Sequence, residues 1–258
     1  MEPERAQIFS PEYYDQLADH ERHGAWAGYM RRLALALLDR HGGGQAPTRV
    51  LDAGCGAGYF TLVWRDRGRI PFAVGLDCSP DALRLSRARG LRHLAAGSVA
   101  SLPFEAGSFE AVHCADVLQH LSSHQARETL REFARVLGPQ GLLLIRCAAR
   151  RGLGSKKHRD SLDYQQWEPE KLREHVEPTG LRIEWMSRVN WLPSLAADLS
   201  AYAGPAPAGN PGFPAARAEG GLRLALLETY WRMEALILLG LRWPLPGGHT
   251  LLCVARKS

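Results

Sequence analysis

The sequence predicts an α/β fold: a doubly wound, mostly parallel sheet of seven strands with helices on both faces. Short apolar runs alternate with helical patterns from about residue 49 almost to the end of the chain, as expected when parallel strands are joined by crossover helices. Some of these runs, such as 142–145, are apolar at every position, which is typical of strands buried on both faces.

The individual elements follow from local signals. Strands are predicted at 49–53, 71–77, 91–95, 109–114, 141–147, 181–189 and 249–255. Helices are predicted before and between them at 11–22, 25–41, 58–67, 80–89, 123–137 and 168–179. Ser79 is expected to cap the fourth helix, with Pro80 in its first turn. Gly138 and Pro139 are expected to end the fifth helix, because neither residue continues a helix well.

A long segment before the last strand divides the chain into three parts. Residues 190–247 are too many for a simple connection. We predict a core of residues 45–189 and 248–258, an N-terminal helical part of residues 1–44, and a helical insertion at 190–247 that covers one end of the sheet. The apolar helix of the insertion is expected to pack on the core or in a dimer interface, or to cap an apolar or lipid-linked substrate.

Composition excludes several classes of protein. With 45% hydrophobic and 23% charged residues, the chain is neither disordered nor collagenous. A net charge of +5 permits an anionic partner without requiring one. The five cysteines are scattered without a CxxC pair, which predicts a reducing, cytoplasmic location and neither disulfides nor a metal site. Neither a secretory signal nor a transmembrane segment is expected.

The most informative segment is a glycine-rich turn after the first strand, VLDAGCGAGYF at 50–60. Alternate glycines let the backbone turn sharply and let a ligand lie against the main chain. The helix that follows points free N–H groups at the same place. Asp77, at the end of the second strand, is placed to accept hydrogen bonds from both hydroxyls of a ribose. The same pattern is compatible with a simple turn or with a nicotinamide dinucleotide site.

Two details count against a dinucleotide. The glycines are spaced GxGxG, and Tyr59 does not suit a dinucleotide fingerprint. Asp52 lies two residues before the first glycine, where a carboxylate suits a ligand with a cationic amine better than a pyrophosphate.

Several motifs in order resemble those of class I S-adenosylmethionine-dependent methyltransferases of the type 11 group. VLDAGCGAGYF resembles their first motif and VGLDCSPDAL their second. AAGSVASLPFEAGSFEAVHCADVLQHL resembles the adenine loop and fourth strand, and REFARVLGPQGLLLIR the segment through the fifth strand. The resemblance covers about residues 11–190 and the last strand. It implies a Rossmann-like sheet with an antiparallel last strand, the cofactor S-adenosyl-L-methionine and the product S-adenosyl-L-homocysteine.

The resemblance also implies roles for individual residues. The three glycines would wrap the methionine part of the cofactor, Asp52 would support its amino group, and Asp77 would hold the ribose hydroxyls. The cofactor-binding set so implied is Asp52, Gly54, Cys55, Gly56, Gly58, Asp77, Cys78, Ser98, Val99, Cys114 and Tyr14. The N-terminal aromatic residues, Tyr13, Tyr14 and Trp26, resemble a lid that closes over the cofactor, so residues 1–44 are predicted to form that lid.

One position departs from the family pattern. Ser98 stands in the adenine loop where the family commonly has Asp. A hydroxyl accepts a neutral hydrogen bond, which is roughly half as strong as a charge-assisted one. We therefore expect weaker cofactor binding, but not its loss.

Few catalytic groups are expected, because a sulfonium cofactor carries the reactivity and the protein mainly aligns the nucleophile. A base is needed only if the acceptor arrives protonated. His120 and Asp116 follow the fourth strand at the predicted rim of the site and are the candidates for this role. Packing or contact with the cofactor is the alternative role for His120.

These observations predict an enzyme that methylates a small-molecule acceptor: a metabolite, a natural product or a lipid-linked compound. Six Lys or Arg residues lie within 146–159, a run that suits an anionic acceptor or is simply a solvated loop. The alternatives are a methyltransferase of RNA or protein and a non-catalytic cofactor-binding protein. Nucleic acid is not expected as a partner, because the basic run lacks interleaved aromatic residues for base stacking. Peripheral membrane contact and the oligomeric state stay open.

Overall fold

The computed structural model describes residues 11–44, 46–66, 70–150, 165–196 and 221–258. Seven strands form one sheet in the order β3-β2-β1-β4-β5-β7-β6. Only β7 runs antiparallel to its neighbours, β5 and β6. The prediction of a mostly parallel, Rossmann-like sheet with an antiparallel last strand is confirmed.

The bounds of the elements are close to those expected. The strands are β1 Arg49–Ala53, β2 Phe72–Asp77, β3 Leu94–Ala96, β4 Phe109–Ala115, β5 Leu137–Ala148, β6 Leu181–Val189 and β7 Thr250–Lys257. The α-helices with defined bounds are α1 Pro11–His23, α2 Ala25–His41, α3 Tyr59–Asp66, α4 Pro80–Ala88, α5 Ser123–Val136, α6 Pro169–Val176 and α7 Leu222–Ala235. Short 3₁₀ turns occur at Leu118–His120 and Glu177–Thr179, and α7 continues as a π-helical turn at Leu236–Leu241. Ser79 caps α4 as predicted, since its hydroxyl accepts from the N–H of Ala82.

One predicted boundary is wrong. Helix α5 ends at Val136 and β5 begins at once with Leu137, so Gly138 and Pro139 lie inside the strand instead of separating the two elements. Leu137 pairs with Phe109 before the register shifts. A proline is tolerated at such an irregular start of a strand, because the ladder there is already interrupted.

The strand order reverses between β1 and β4. From β1 the chain first forms β2 and β3 on one side, and then β4 and β5 on the other. In open α/β sheets, ligands bind at the carboxyl ends of the strands beside this reversal. The glycine loop after β1 and the segments after β2 and β4 all lie at that place.

Apolar side chains cover both faces of the sheet. Phe133 of α5 and Trp167 belong to one buried cluster, and Leu33 of α2 and Trp64 of α3 to the other. Leu143 in β5 is fully buried between them. The expectation that the central strands are buried on both faces is confirmed.

The described part of the insertion packs on the core through one side of α7. Trp231 stacks on Tyr29 of α2, with ring centroids 5.4 Å apart and planes 9° apart, and Leu238 is buried. Large apolar side chains of α7, of the π-helical turn and of the residues just after it are exposed: Leu226, Met233, Leu236, Leu241 and Trp243. Core packing was one of the roles predicted for this helix. Most of the basic run and the stretch 197–220 lie outside the described residues.

No helix within the described ranges has both the length and the apolar character needed to cross a membrane.

Glu184 of β6 joins three elements and gives a testable pH dependence. Its Oε1 accepts from Arg256 Nε at 2.6 Å, and its Oε2 accepts from His41 Nδ1 at 2.9 Å. These hydrogen bonds lower the pKa of Glu184 from 4.5 to about 2. The ionised Glu184 therefore stabilises the folded protein at pH values above the ordinary pKa of a glutamate. This stabilisation is lost as the pH falls towards 2.

We expect Glu184→Gln to lower the free energy of unfolding by about 2 kcal/mol at pH 7, and by clearly less at pH 3. Urea denaturation at the two pH values measures both numbers. Glu105→Gln, at an exposed position, is the matched control. A loss for Glu184→Gln that is equal at both pH values would contradict the ion-pair argument.

Candidate functional site

The loop between β1 and α3 has a backbone shape that depends on glycine. The φ angles are 78° at Gly54, 54° at Gly56 and 76° at Gly58. At Gly54 a Cβ atom would also lie 2.3 Å from Val117 Cγ2, so any larger residue would be both strained and blocked. The N–H groups of Gly54 and Cys55 donate to the carbonyl of Leu76 at 2.7 and 2.9 Å. These bonds hold the loop against the end of β2.

Asp77 lies directly beside this loop. Its Oδ2 accepts from the N–H of Gly56 and its Oδ1 from the N–H of Ser79, both at 2.9 Å. Burial raises the pKa of Asp77 above its ordinary value in spite of these two hydrogen bonds. A buried carboxylate of this kind costs folding free energy when it is ionised, which favours a role in binding over a role in stability.

Asp52 lies underneath the loop and is buried. Its Oδ2 accepts from the hydroxyl of Thr61 at 2.6 Å, and its Oδ1 accepts from Nδ1 of His113 at 2.8 Å. His113 stacks on Phe60, with centroids 3.9 Å apart. Thr61 and His113 were not expected from the sequence; a histidine within an apolar strand was the only signal. The role of Asp52 towards an amino group stays a prediction.

The predicted adenine loop adjoins the end of β2, because the N–H of Gly97 donates to the carbonyl of Asp77 at 3.1 Å. Ser98 is exposed, and its hydroxyl accepts from the N–H of Ala100 at 3.2 Å within its own turn. Val99 is buried. The hydroxyl of Ser98 is thus engaged locally, and Val99 provides the apolar surface of this loop.

Three cysteines of the expected cofactor-binding set differ in exposure. Cys78, next to Asp77, is exposed, whereas Cys55 and Cys114 are buried. Burial raises the pKa of both buried thiols. They therefore contribute packing under the loop, and neither is suited to act as a nucleophile.

Helix α1 lies across the glycine loop. Tyr14 is buried beside Asp77 and Ser79, and burial raises the pKa of its hydroxyl. Tyr13 packs edge-on against Tyr14 with ring centroids 5.5 Å apart. A Cβ atom on Gly56 would lie 3.2 Å from Leu17 Cδ2. The aromatic residues of α1 therefore lie beside the glycine loop, and Leu17 lies in front of it. The role of this helix as a lid stays a prediction.

The two catalytic candidates lie after β4 in different surroundings. Asp116 has a φ of 58°, and its Oδ2 accepts from Arg146 Nη2 at 2.5 Å. The guanidinium of Arg146 also lies over the ring of Trp26, 5.3 Å from its centroid. His120 is half-buried in the 3₁₀ turn. Asp116 thus forms an ion pair that joins the ends of β4 and β5.

Glu21, near the end of α1, was not expected from the sequence. Its Oε2 is buried, and no described residue donates a hydrogen bond to it. Burial and the nearby carboxylate of Asp52 raise the pKa of Glu21 to about 7. In the sequence it lies in the polar stretch 19–23, which is indistinguishable from a solvated helix end.

Sheet order, antiparallel last strand and glycine loop together define the fold of class I S-adenosylmethionine-dependent methyltransferases. Residues 51–145 match a family model described as a methyltransferase domain. The resemblance found in the sequence is confirmed for this part of the chain, which matches a methyltransferase domain.

Named relatives agree with this assignment. The chain is 34% identical over 138 residues to the demethylmenaquinone methyltransferase of Thermus thermophilus. The aligned region covers 51% of this chain and 59% of the relative. It is 34% identical over 98 residues to the malonyl-[acyl-carrier protein] O-methyltransferase of Serratia marcescens, covering 38% and 37%. The chain thus spans less than two thirds of either relative.

Among solved structures, phosphoethanolamine N-methyltransferase 2 of Haemonchus contortus in complex with S-adenosyl-L-methionine is similar with a TM-score of 0.61 and 18% identity. The match covers 100% of this chain and 60% of that one. At this level of identity the likeness concerns the fold alone.

Proposed function

We propose that this protein is an S-adenosyl-L-methionine-dependent methyltransferase that transfers a methyl group to a small-molecule acceptor by in-line displacement. The observation that carries the proposal is the position of Asp77, whose buried carboxylate holds the N–H of Gly56 at 2.9 Å in a loop of positive-φ glycines. A carboxylate that can accept hydrogen bonds from ribose hydroxyls, next to glycines without side chains, suits an adenosyl ligand. The methyltransferase family match over residues 51–145 supports the same assignment.

The residues of the site fit the cofactor. Asp77 would hold the ribose hydroxyls, the glycine loop would line the methionine part, and Cys78, Ser98 and Val99 would lie beside the adenine. When bound, the sulfonium supplies an activated methyl group. The work of the chain is then to bind, to align the acceptor and to exclude water. Leu17 lies in front of Gly56, so we infer that α1 opens to admit the ligand and closes over it as the lid of residues 1–44.

For the acceptor, the name of one relative supports a small molecule, since it refers to demethylmenaquinone. The other refers to a malonyl group carried by an acyl-carrier protein, which is a small group on a carrier. Residues 190–247 would cap the acceptor, and the exposed apolar side chains of α7 suit a lipid-linked acceptor or peripheral contact with a membrane. Asp116 would orient Arg146 at the rim of the site. His120 is proposed as the proton acceptor for an acceptor that arrives protonated.

The proposed function predicts selective stabilisation by one ligand. S-adenosylhomocysteine at about 100 times its Kd should add about 2.7 kcal/mol to the stability of the folded state, which raises the melting temperature by several degrees. NAD at the same concentration should leave it unchanged. Differential scanning fluorimetry with both ligands measures the two shifts.

Two results would overturn this assignment. A shift with NAD and none with S-adenosylhomocysteine would favour a dinucleotide site. Tight binding of bulk RNA that weakens steeply with salt would make the alternative, a methyltransferase of RNA, the better proposal.

A further inference from the structure

We propose that Glu21 of α1 binds the α-ammonium group of the cofactor's methionine part, the role that the sequence pattern assigns to Asp52. The inference rests on the proposed function, because it takes S-adenosylmethionine as the ligand. It adds a residue outside the glycine motif and makes cofactor binding dependent on α1.

Asp52 is held by two protein donors in the structure. Each of its two oxygens accepts one short hydrogen bond, from Thr61 at 2.6 Å and from His113 at 2.8 Å. Both partners belong to the packed layer beneath the loop, where Asp52 and Thr61 are buried and His113 stacks on Phe60. Turning Asp52 towards a ligand would leave buried donors without acceptors, which costs about 1–3 kcal/mol for each. Asp52 therefore serves to hold the loop.

Glu21 is in the opposite situation. Its Oε2 is buried, yet it receives no hydrogen bond from any residue that the structure describes. A buried acceptor without a donor is rare in folded proteins, and such an atom calls for an explanation. Its helix lies against the loop, because Leu17 of the same helix faces Gly56. An ammonium group would supply Oε2 with the N–H donor that it lacks.

The charges around Glu21 match a ligand that carries both signs. The titratable groups that face it are Tyr13 on its own helix, Asp52 of β1, Cys55 of the loop, Arg31 of α2, Arg89 after α4 and Arg146 of β5. Arg31 is tied to α1 directly, since its Nη1 donates to the main-chain oxygen of Glu21 at 2.5 Å. A methionine part has an α-carboxylate next to its α-ammonium group. The positive charge of these arginines favours the α-carboxylate nearby while Glu21 binds the ammonium group.

This arrangement links cofactor binding to a proton. Burial and Asp52 raise the pKa of Glu21 to about 7, so at pH 6 the side chain is mostly protonated. An ammonium group beside it favours the ionised form. Binding at pH 6 should therefore release close to one proton per ligand, and the affinity should rise about tenfold between pH 6 and pH 8.

The experiment is isothermal titration calorimetry of the full chain with two ligands. S-adenosylhomocysteine carries the amino-acid part, whereas 5′-methylthioadenosine lacks it. Titrations at pH 6 in buffers with different ionisation enthalpies give the number of protons released. We expect Glu21→Gln to weaken binding of S-adenosylhomocysteine at least tenfold, to abolish proton release, and to leave the affinity for 5′-methylthioadenosine within twofold.

Asp15→Asn is the matched control, because it removes the same charge from an exposed position on the same helix. It should change neither affinity nor proton release. Glu21→Ala provides a second variant. It should lose affinity for S-adenosylhomocysteine to the same extent and keep its affinity for 5′-methylthioadenosine.

The outcomes separate the inference from the function it rests on. If Glu21→Gln weakens both ligands equally, or if proton release persists in it, then Glu21 is not the ammonium site although the cofactor assignment stands. If the unmodified protein binds neither ligand, the proposed function itself is wrong.

Discussion

Replacing Asp77 by Asn is expected to lower the affinity for S-adenosylhomocysteine about 100-fold. The carboxylate is the proposed acceptor for two ribose hydroxyls, and hydrogen bonds to a charged group contribute about 1.5–3 kcal/mol each. Losing one such bond and weakening the other removes about 3 kcal/mol, which corresponds to roughly two orders of magnitude in Kd. The amide also sets a donor against one of two N–H groups, of Gly56 or of Ser79, that Asp77 now accepts.

Two controls separate a lost ribose contact from a general loss of charge or of folding. Asp81→Ala removes a carboxylate four residues away that pairs with Arg84 at the surface, and it should leave the Kd unchanged. Circular dichroism and the melting temperature without ligand show whether Asp77→Asn is folded. A Kd within threefold of the unmodified value in a folded Asp77→Asn variant would mean that the ribose is held elsewhere.

A second large effect is expected on stability. Glu234 of α7 is buried and accepts four hydrogen bonds. Its Oε2 takes the hydroxyl of Tyr29 at 2.7 Å and the N–H of Asn190 at 3.1 Å. Its Oε1 takes the N–H of Trp191 at 3.1 Å and the hydroxyl of Tyr230. This one side chain therefore joins the insertion helix to α2 and to the end of β6.

We expect Glu234→Leu to lower the free energy of unfolding by about 4 kcal/mol, because it leaves four donors without an acceptor. Glu234→Gln should cost about 2 kcal/mol, since its amide keeps one acceptor oxygen but opposes donors with the other end. Urea denaturation measures both values. Glu228→Gln, at an exposed position of the same helix, should change stability by less than about 0.5 kcal/mol.

The two variants also test how the insertion is attached. If Glu234 mainly fixes α7 on the core, limited proteolysis of Glu234→Gln should cut within 190–247 before the core is degraded. Equal stability of Glu234→Leu and the unmodified protein would show that the four hydrogen bonds contribute nothing net, and the attachment would then depend on the stacking of Trp231 on Tyr29.

Local signals were sufficient for most of the fold. The alternation of apolar runs and helical patterns predicted all seven strands, and Ser79 with Pro80 marked the start of α4 correctly. The boundary at Gly138 and Pro139 was wrong, because pairing of Leu137 with Phe109 is a contact between strands far apart in sequence. Local propensity holds no information about such a partner.

The sequence by itself determined the shape of one loop and the position of one carboxylate. The glycines of the loop must adopt positive φ, and Asp77 follows at the end of the next strand. These are short-range requirements of backbone geometry, so they can be read from spacing alone. Only the tertiary structure decided which carboxylates remain available to a ligand. Parallel pairing places His113 opposite Asp52, and the packing of α1 on the loop buries the Oε2 atom of Glu21. The donors that a carboxylate meets are its neighbours in space, and these are distant in the chain.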